Sequence, residues 1–209
     1  MDQQQVGILV FNDVEVLDFC GPFEVFSVAR KNFDTGLEAP GPFKVSLVAE
    51  TKQLITSRAG MRVQPDYDLV NCPHLDILLV PGGFGTRREM DNQPLVDWIA
   101  ERAWQASTVA SVCTGSLLLG KAGLLEGKRA TTHFMVLDMM QELFPGTKVE
   151  RGLHFVEDGK LFTSAGVSAG IDLALSIVSR LLGEEAARMT ARYIEYPFPE
   201  TNARRVAVA

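Results

Sequence analysis

Ser107-Thr108-Val109-Ala110-Ser111-Val112-Cys113-Thr114-Gly115-Ser116-Leu117-Leu118-Leu119-Gly120 is the stretch that decides the fold. Its first half is small and β-branched, the composition of a strand buried in a parallel sheet. Its second half opens on Thr114, Gly115 and Ser116 and runs into leucines, which reads as a helix start. Cys113 stands at the corner between them. Such a corner projects its side chain beyond the carboxyl edge of a sheet, where the free N–H groups and dipole of the next helix favour a thiolate. This is the geometry of a nucleophile elbow. The plain alternative is a buried small hydrophobe, the usual fate of a free cysteine.

Working outward, residues 6–11 form an apolar run that predicts a first buried strand, followed by a turn at Asn12-Asp13 and a helix over 20–30. Three Gly/Pro signals predict a loop over 36–42, and a second strand follows over 43–49. Residues 54–67 read less clearly, with a small hairpin around 58–63. Residues 76–80 predict a third strand, ending abruptly at Pro81-Gly82-Gly83-Phe84-Gly85. Pro94 opens a helix over 94–106, in the first turn, where a missing N–H costs least. The strand over 108–112 and the helix over 114–122 flank Cys113. Beyond them come a short strand over 129–132 and a helix over 134–143. Strands over 149–156 and 160–164 pair across Glu157-Asp158-Gly159. Helices over 168–182 and 184–194 complete the pattern.

Strands alternating with helices predict an α/β fold, a parallel sheet covered on both faces. One domain over 1–196 is expected, with a tail over 197–209 that is mobile or docked on a partner. Ligands of such sheets bind beyond the carboxyl ends of the strands. The loop over 13–18, the glycine loop over 82–85 and the Cys113 corner should converge there.

The 209 residues suit one domain with a sizeable core. Twenty basic against 26 acidic residues, net −6, argue against a nucleic-acid surface, which carries a basic stripe. The pairs Arg87-Arg88 and Arg204-Arg205 read as solvated. Cys20, Cys72 and Cys113 make an odd set without C-x-x-C, so neither a disulfide framework nor a zinc ribbon is indicated. Cys72-Pro73-His74 offers two metal-ligand types but no second pair, and no metal is expected. The start has no positive n-region, and no apolar run reaches a membrane span. The expectation is a cytoplasmic chain with reduced thiols and no membrane partner.

Several residues could serve Cys113. Gly82-Gly83-Phe84-Gly85 is not G-x-G-x-x-G and has no phosphate-loop lysine. It reads either as a tight turn or as backbone N–H groups aimed at a developing anion, part of an oxyanion hole. Asp18 is most simply a helix N-cap. If it faces Cys113 instead, burial and a neighbouring thiolate raise its pKa and make it a general acid. Glu15 reads as solvent-facing, and Glu24 as a weaker candidate for the acid. His133 with Cys113 and Asp18 would imitate a thiol-protease triad, against the commoner histidine bonded to backbone. His154 falls in a strand. Cys20, near Asp18 in sequence, raises a disulfide with Cys113 under oxidation.

Val16-Leu17-Asp18-Phe19-Cys20-Gly21-Pro22, Pro81-Gly82-Gly83, Ser111-Val112-Cys113-Thr114-Gly115-Ser116, the long block 120–133 and Gly166-Val167-Ser168-Ala169-Gly170-Ile171-Asp172 together resemble the DJ-1/PfpI superfamily, nearest to its isocyanide hydratase branch. The resemblance implies a flavodoxin-like doubly wound sandwich, a homodimer and a strained nucleophilic cysteine. It implies Cys113 as nucleophile, Asp18 as its acidic partner, Thr114 as neighbour, and Gly82 and Gly83 as stabilisers of developing charge. No cofactor follows from it. Protease-like members carry histidine directly after the cysteine; Thr114 stands there, and His133 is demoted. The same block occurs in regulators that add an AraC-type helix-turn-helix region. That region would need about a hundred further residues, at a typical domain size; the chain ends at Ala209, so no nucleic-acid partner is expected. The implied chemistry is hydration of a small isocyanide to an N-substituted formamide. Its rivals are action on reactive carbonyls, thiol sensing and ligand sensing without turnover.

Overall fold

The computed structural model describes residues 3–33 and 40–207. Residues 36–39 of the expected loop lie outside the described residues. A seven-stranded sheet runs in the order β10-β11-β7-β6-β1-β2-β5. Its strands are β1 (Gln4–Leu9), β2 (Phe43–Ala49), β5 (Tyr67–Asp68), β6 (Ile77–Val80), β7 (Thr108–Ser111), β10 (Phe155–Asp158) and β11 (Leu161–Ser164). Every pairing is parallel except β10 with β11. All four residues of β6 and of β7 are buried, as strands covered on both faces must be.

On one face α1 (Val16–Val28), α6 (Ala169–Leu182) and α7 (Glu184–Tyr193) pack together; α2 (Thr86–Glu89), α3 (Gln93–Gln105) and α4 (Gly115–Lys121) form the other layer. The result is the flavodoxin-like α/β sandwich expected. Chain order reverses between β1 and β6, because β2 lies on one side of β1 and β6 on the other. A crevice opens outside the carboxyl ends of the strands at such a reversal.

The elements depart from expectation in several places, and α2 and β5 have no counterpart in it. The first helix begins at Val16, not at 20, because Val14 bridges Gly83 and the Glu15 N–H bonds the Gly82 carbonyl. That anchoring puts Asp18 inside the first turn and leaves Glu15 at the N-cap. The strand expected over 149–156 divides. Its start, β9 (Lys148–Val149), pairs in parallel with β8 (Arg129–Ala130), and only β10 joins the main sheet. Residues 134–143 form a 3-10 turn (Phe134–Val136) before α5 (Leu137–Leu143). The hairpin appears as β3 (Ile55–Thr56) and β4 (Arg62–Val63).

The tail packs on its own chain. Leu153 bridges Ala203, and the Asn202 side chain accepts from the Phe155 N–H and donates to the Phe155 carbonyl at 2.9 and 2.8 Å. The unpaired edge of β10 explains the docking, since exposed strand edges attract further backbone.

Candidate active site

Cys113 follows β7 directly and precedes α4, and its φ is +57°. Only a few non-glycine residues occupy this left-handed region, at a cost of about 1–3 kcal/mol, so the surroundings must hold it there. They do so from both sides of the peptide. The Cys113 N–H donates to the Ala165 carbonyl at 3.1 Å, while the Cys113 carbonyl accepts from the Thr132 and Ser116 hydroxyls at 2.9 and 3.2 Å. Gly115 is required beneath the corner: a Cβ there would sit 2.0 Å from the Val80 carbonyl oxygen.

Asp18 reaches the corner from α1 with no exposed surface. Its Oδ2 accepts from the Gly82 N–H at 2.9 Å; its buried Oδ1 has no hydrogen-bond partner among the described residues. The Cys113 thiol is the side chain that interacts with this carboxyl. Burial raises Asp18 from its ordinary 3.8 to about 7, opposed by the Gly82 N–H and reinforced by the charge on Glu15. The thiol is also pushed up, by burial first and by Asp18 second, against the backbone N–H groups of Thr114 and Val167. The expectation that the helix start alone would favour the thiolate is thereby corrected: desolvation outweighs two amides. The pair behaves as one unit that loses its first proton near neutrality.

The N–H groups of the glycine loop are already engaged. The Gly82 N–H is taken by Asp18, and the Gly83 N–H donates to Thr114 Oγ1 at 3.0 Å. Thr86 completes the set, donating to the Gly83 carbonyl at 2.7 Å and lying 3.2 Å from the Thr114 hydroxyl. Gly82 and Gly83 thus orient the acid and its neighbour, and the amides left to the sulfur are those of Thr114 and Val167. A Cβ on Gly82 would lie 2.5 Å from the Thr114 nitrogen and 2.9 Å from Asp18 Oδ2.

Above this floor lies a cavity of about 500 Å³. Phe84, Met135, Val136, Met139 and Val167 give it apolar walls; Glu15, Arg58 and Arg87 stand in its lining. Glu15 is therefore half-buried and paired to Arg58 at 3.7 Å, not simply solvent-facing. His133 also lines the cavity, but its Nδ1 accepts from the Met135 N–H at 3.3 Å. Burial, then the charge on Arg204, lowers its pKa and keeps it neutral. Glu24 is exposed and plays no part in this floor. Cys20, Cys72 and Cys113 are all free thiols.

Three contributors carry no sequence signal. Thr86 stands outside the quoted motifs, Thr132 and Val167 lie inside them but with no local sign of their role, and Val167 acts through its backbone at φ +52°. His154, unremarkable in sequence, is buried in a bend with Nε2 3.1 Å from the fully buried Asp172. No group of three His, Cys, Asp or Glu able to hold a metal ion occurs among the described residues.

Fold and elbow define a class, and comparison with known proteins agrees. The DJ-1/PfpI family pattern matches residues 4–180, and the chain belongs to that family. It is 39% identical over 192 residues to the isonitrile hydratase of Pseudomonas putida, covering 92% of this chain and 78% of that protein. A ThiJ/PfpI family protein from Pseudomonas syringae, with a solved structure, superposes with a TM-score of 0.83 at 32% identity, over 97% of this chain and 79% of that one. The transcriptional regulator GbdR of Pseudomonas aeruginosa is 27% identical over 92% of this chain, which spans about half of the regulator's length (51%). Among the described residues no helix is long and apolar enough to cross a membrane.

Proposed function

We propose that this protein is a cysteine-dependent hydratase that adds water to an isocyanide to give an N-substituted formamide. The observation that carries the reading is the Cys113 thiol on a left-handed corner against the buried, unpaired Oδ1 carboxyl of Asp18, at the floor of an apolar-walled cavity. Similarity to an isonitrile hydratase supports the same chemistry.

The working state holds one proton on the pair; the ionised Asp18 takes it from the Cys113 thiol as the sulfur engages the substrate, so the reacting form is thiolate and carboxylic acid. The sulfur attacks the terminal isocyanide carbon and forms a C–S bond. That carbon takes the proton from Asp18, giving a thioimidate, R–N=CH–S–Cys113. Asp18, now a carboxylate, removes a proton from an entering water as the oxygen adds to the same carbon, and passes it to nitrogen. Collapse returns the hydroxyl proton to Asp18, forms the formamide C=O and breaks the C–S bond. The thiolate and the protonated acid are restored. Thr114 and Val167 offer backbone N–H groups to the sulfur when it leaves as an anion. No cofactor is required by these steps, and a homodimer acting on a free small molecule is the assembly we expect.

The test follows loss of the isocyanide stretch in the infrared with p-nitrophenyl isocyanide, alongside intact-mass spectrometry. Formamide production that disappears in Cys113→Ser, with a transient adduct on the wild type, is the expected result. Retained turnover in Cys113→Ser would remove the mechanism. No turnover by a wild type whose Cys113 alkylates readily would move the function to another electrophile or to sensing.

A further inference from the structure

The hydratase reading leaves open what the body of the substrate looks like, and the cavity rim bears on it. Arg87 and Arg88 are adjacent in α2 yet meet different fates. Arg88 bonds Glu89 through Nε and Nη2 at 2.9 and 2.8 Å, the Asn12 carbonyl at 2.9 Å and Asp13 at 3.4 Å. Arg87 turns to the cavity, its guanidinium carbon 5.1 Å from the centre of the Phe84 ring, with no carboxylate in ion-pair range among the described residues. Arg58 lies over the same ring at 4.1 Å, but Glu15 answers its charge. Asp18 belongs to the floor and His133 is neutral. Apart from the single charge of the Cys113–Asp18 pair at the floor, the lining sets two arginines against one glutamate, in a chain whose net charge is −6. A local reversal of sign at the mouth of a cavity selects for anions there. The sequence pattern had read Arg87 as merely solvated.

One cavity thus holds the buried nucleophile, the apolar and partly exposed side chains of Phe84, Met135 and Met139, and an exposed, unanswered guanidinium. Resting on the hydratase reading, we propose that the substrate is an isocyano acid: an isocyanide on an apolar body whose far end carries a carboxylate, received by Arg87. A planar guanidinium pre-oriented on an aromatic face is suited to a forked carboxylate contact.

The test is a matched pair, 4-(isocyanomethyl)benzoate and its methyl ester, in which the methylene insulates the reacting carbon from the far group. The acid should be preferred in kcat/KM by about fivefold to tenfold, expressed in KM, as a charge-assisted contact near solvent allows. The preference should shrink as salt rises. Arg87→Gln should bring the acid-to-ester ratio close to one, and Arg87→Lys should restore part of it. Thermal melting of both variants checks that the fold is intact. Equal hydration of acid and ester by the wild type, or an unchanged ratio in Arg87→Gln, would overturn the inference and leave the hydratase standing. Hydration of neither would take down the hydratase reading and this inference with it.

Discussion

Asp18 is the residue on which this site turns. A carboxylic acid with no exposed surface, held by the Gly82 N–H and facing the Cys113 thiol, carries a desolvation cost that these contacts do not offset. Its acidity therefore moves from 3.8 to about 7. The consequence for stability has a definite sign. Between about pH 4 and pH 7 the folded chain keeps a proton that the unfolded chain gives up, so stability falls as pH rises through that window. The loss is at most roughly 4 kcal/mol, from a displacement of about three pH units. Asp18→Asn keeps an oxygen to accept from Gly82 and removes the titration. Denaturant unfolding at pH 4.5 and pH 8 should show the wild type losing stability at the higher pH and the variant losing none, since the depressed His133 works in the opposite direction. A wild type equally stable at both values would mean that Asp18 does not hold its proton.

The element that matters most is the β7–α4 corner, where Ser111 ends a buried strand and Gly115 begins a helix two residues beyond the left-handed Cys113. The turn is so tight that α4 starts against the end of β6. The contact is backbone to backbone, with no flexible side chain to give way. Gly115→Ala would drive a methyl group to 2.0 Å from the Val80 carbonyl. It should cost at least about 3 kcal/mol, at the upper end of overpacking penalties, or prevent folding; thermal melting reads it directly. The tail is a second element with a measurable contribution. Asn202 clamps Phe155, Arg204 donates to the Thr131 hydroxyl and the Thr132 carbonyl, and Arg205 pairs with the buried Asp172 at 2.6 Å. A chain ending at Glu200 should melt about 4–8 °C lower, as a loss of about 2 kcal/mol implies for this size. An unchanged melting temperature would show that the docking contributes nothing to stability.

For the whole molecule, activity and stability answer pH in opposite directions through the same pair. Below pH 7 both Asp18 and Cys113 hold protons, and a neutral thiol is a poor nucleophile. Loss of one proton from the pair makes the competent form. Hydration should therefore rise in kcat/KM as pH passes about 7 and then level off, since removal of the second proton is opposed by the first charge. A rate that falls through pH 7 would contradict the single-proton working state. The site thus gains its charge at the expense of fold stability, a familiar exchange between a strained site and a stable scaffold. Local acid–base chemistry of this kind needs the sandwich around it, because the cost at Asp18 and Cys113 is borne by fully buried β1, β6 and β7 side chains.

Much of this was readable along the chain. Alternating strand and helix patterns announced the α/β sandwich, since a parallel strand buried on both faces takes apolar or small side chains throughout, as residues 77–80 and 108–111 do. The strand-to-helix break at Cys113 and the glycines at 82 and 83 were equally legible, because tight turns demand small residues locally. Asp18 could be named but not placed: N-cap and acid partner look alike until the Val14–Gly83 bridge sets where α1 begins. The roles of Thr86, Thr132 and the Val167 amide had no local signature, because a hydroxyl or an N–H acquires meaning only from its partner across the fold. The same holds for the thiol's direction of titration and for the two arginines of α2. Burial and distance between remote segments set both, and neither quantity exists until the chain has packed.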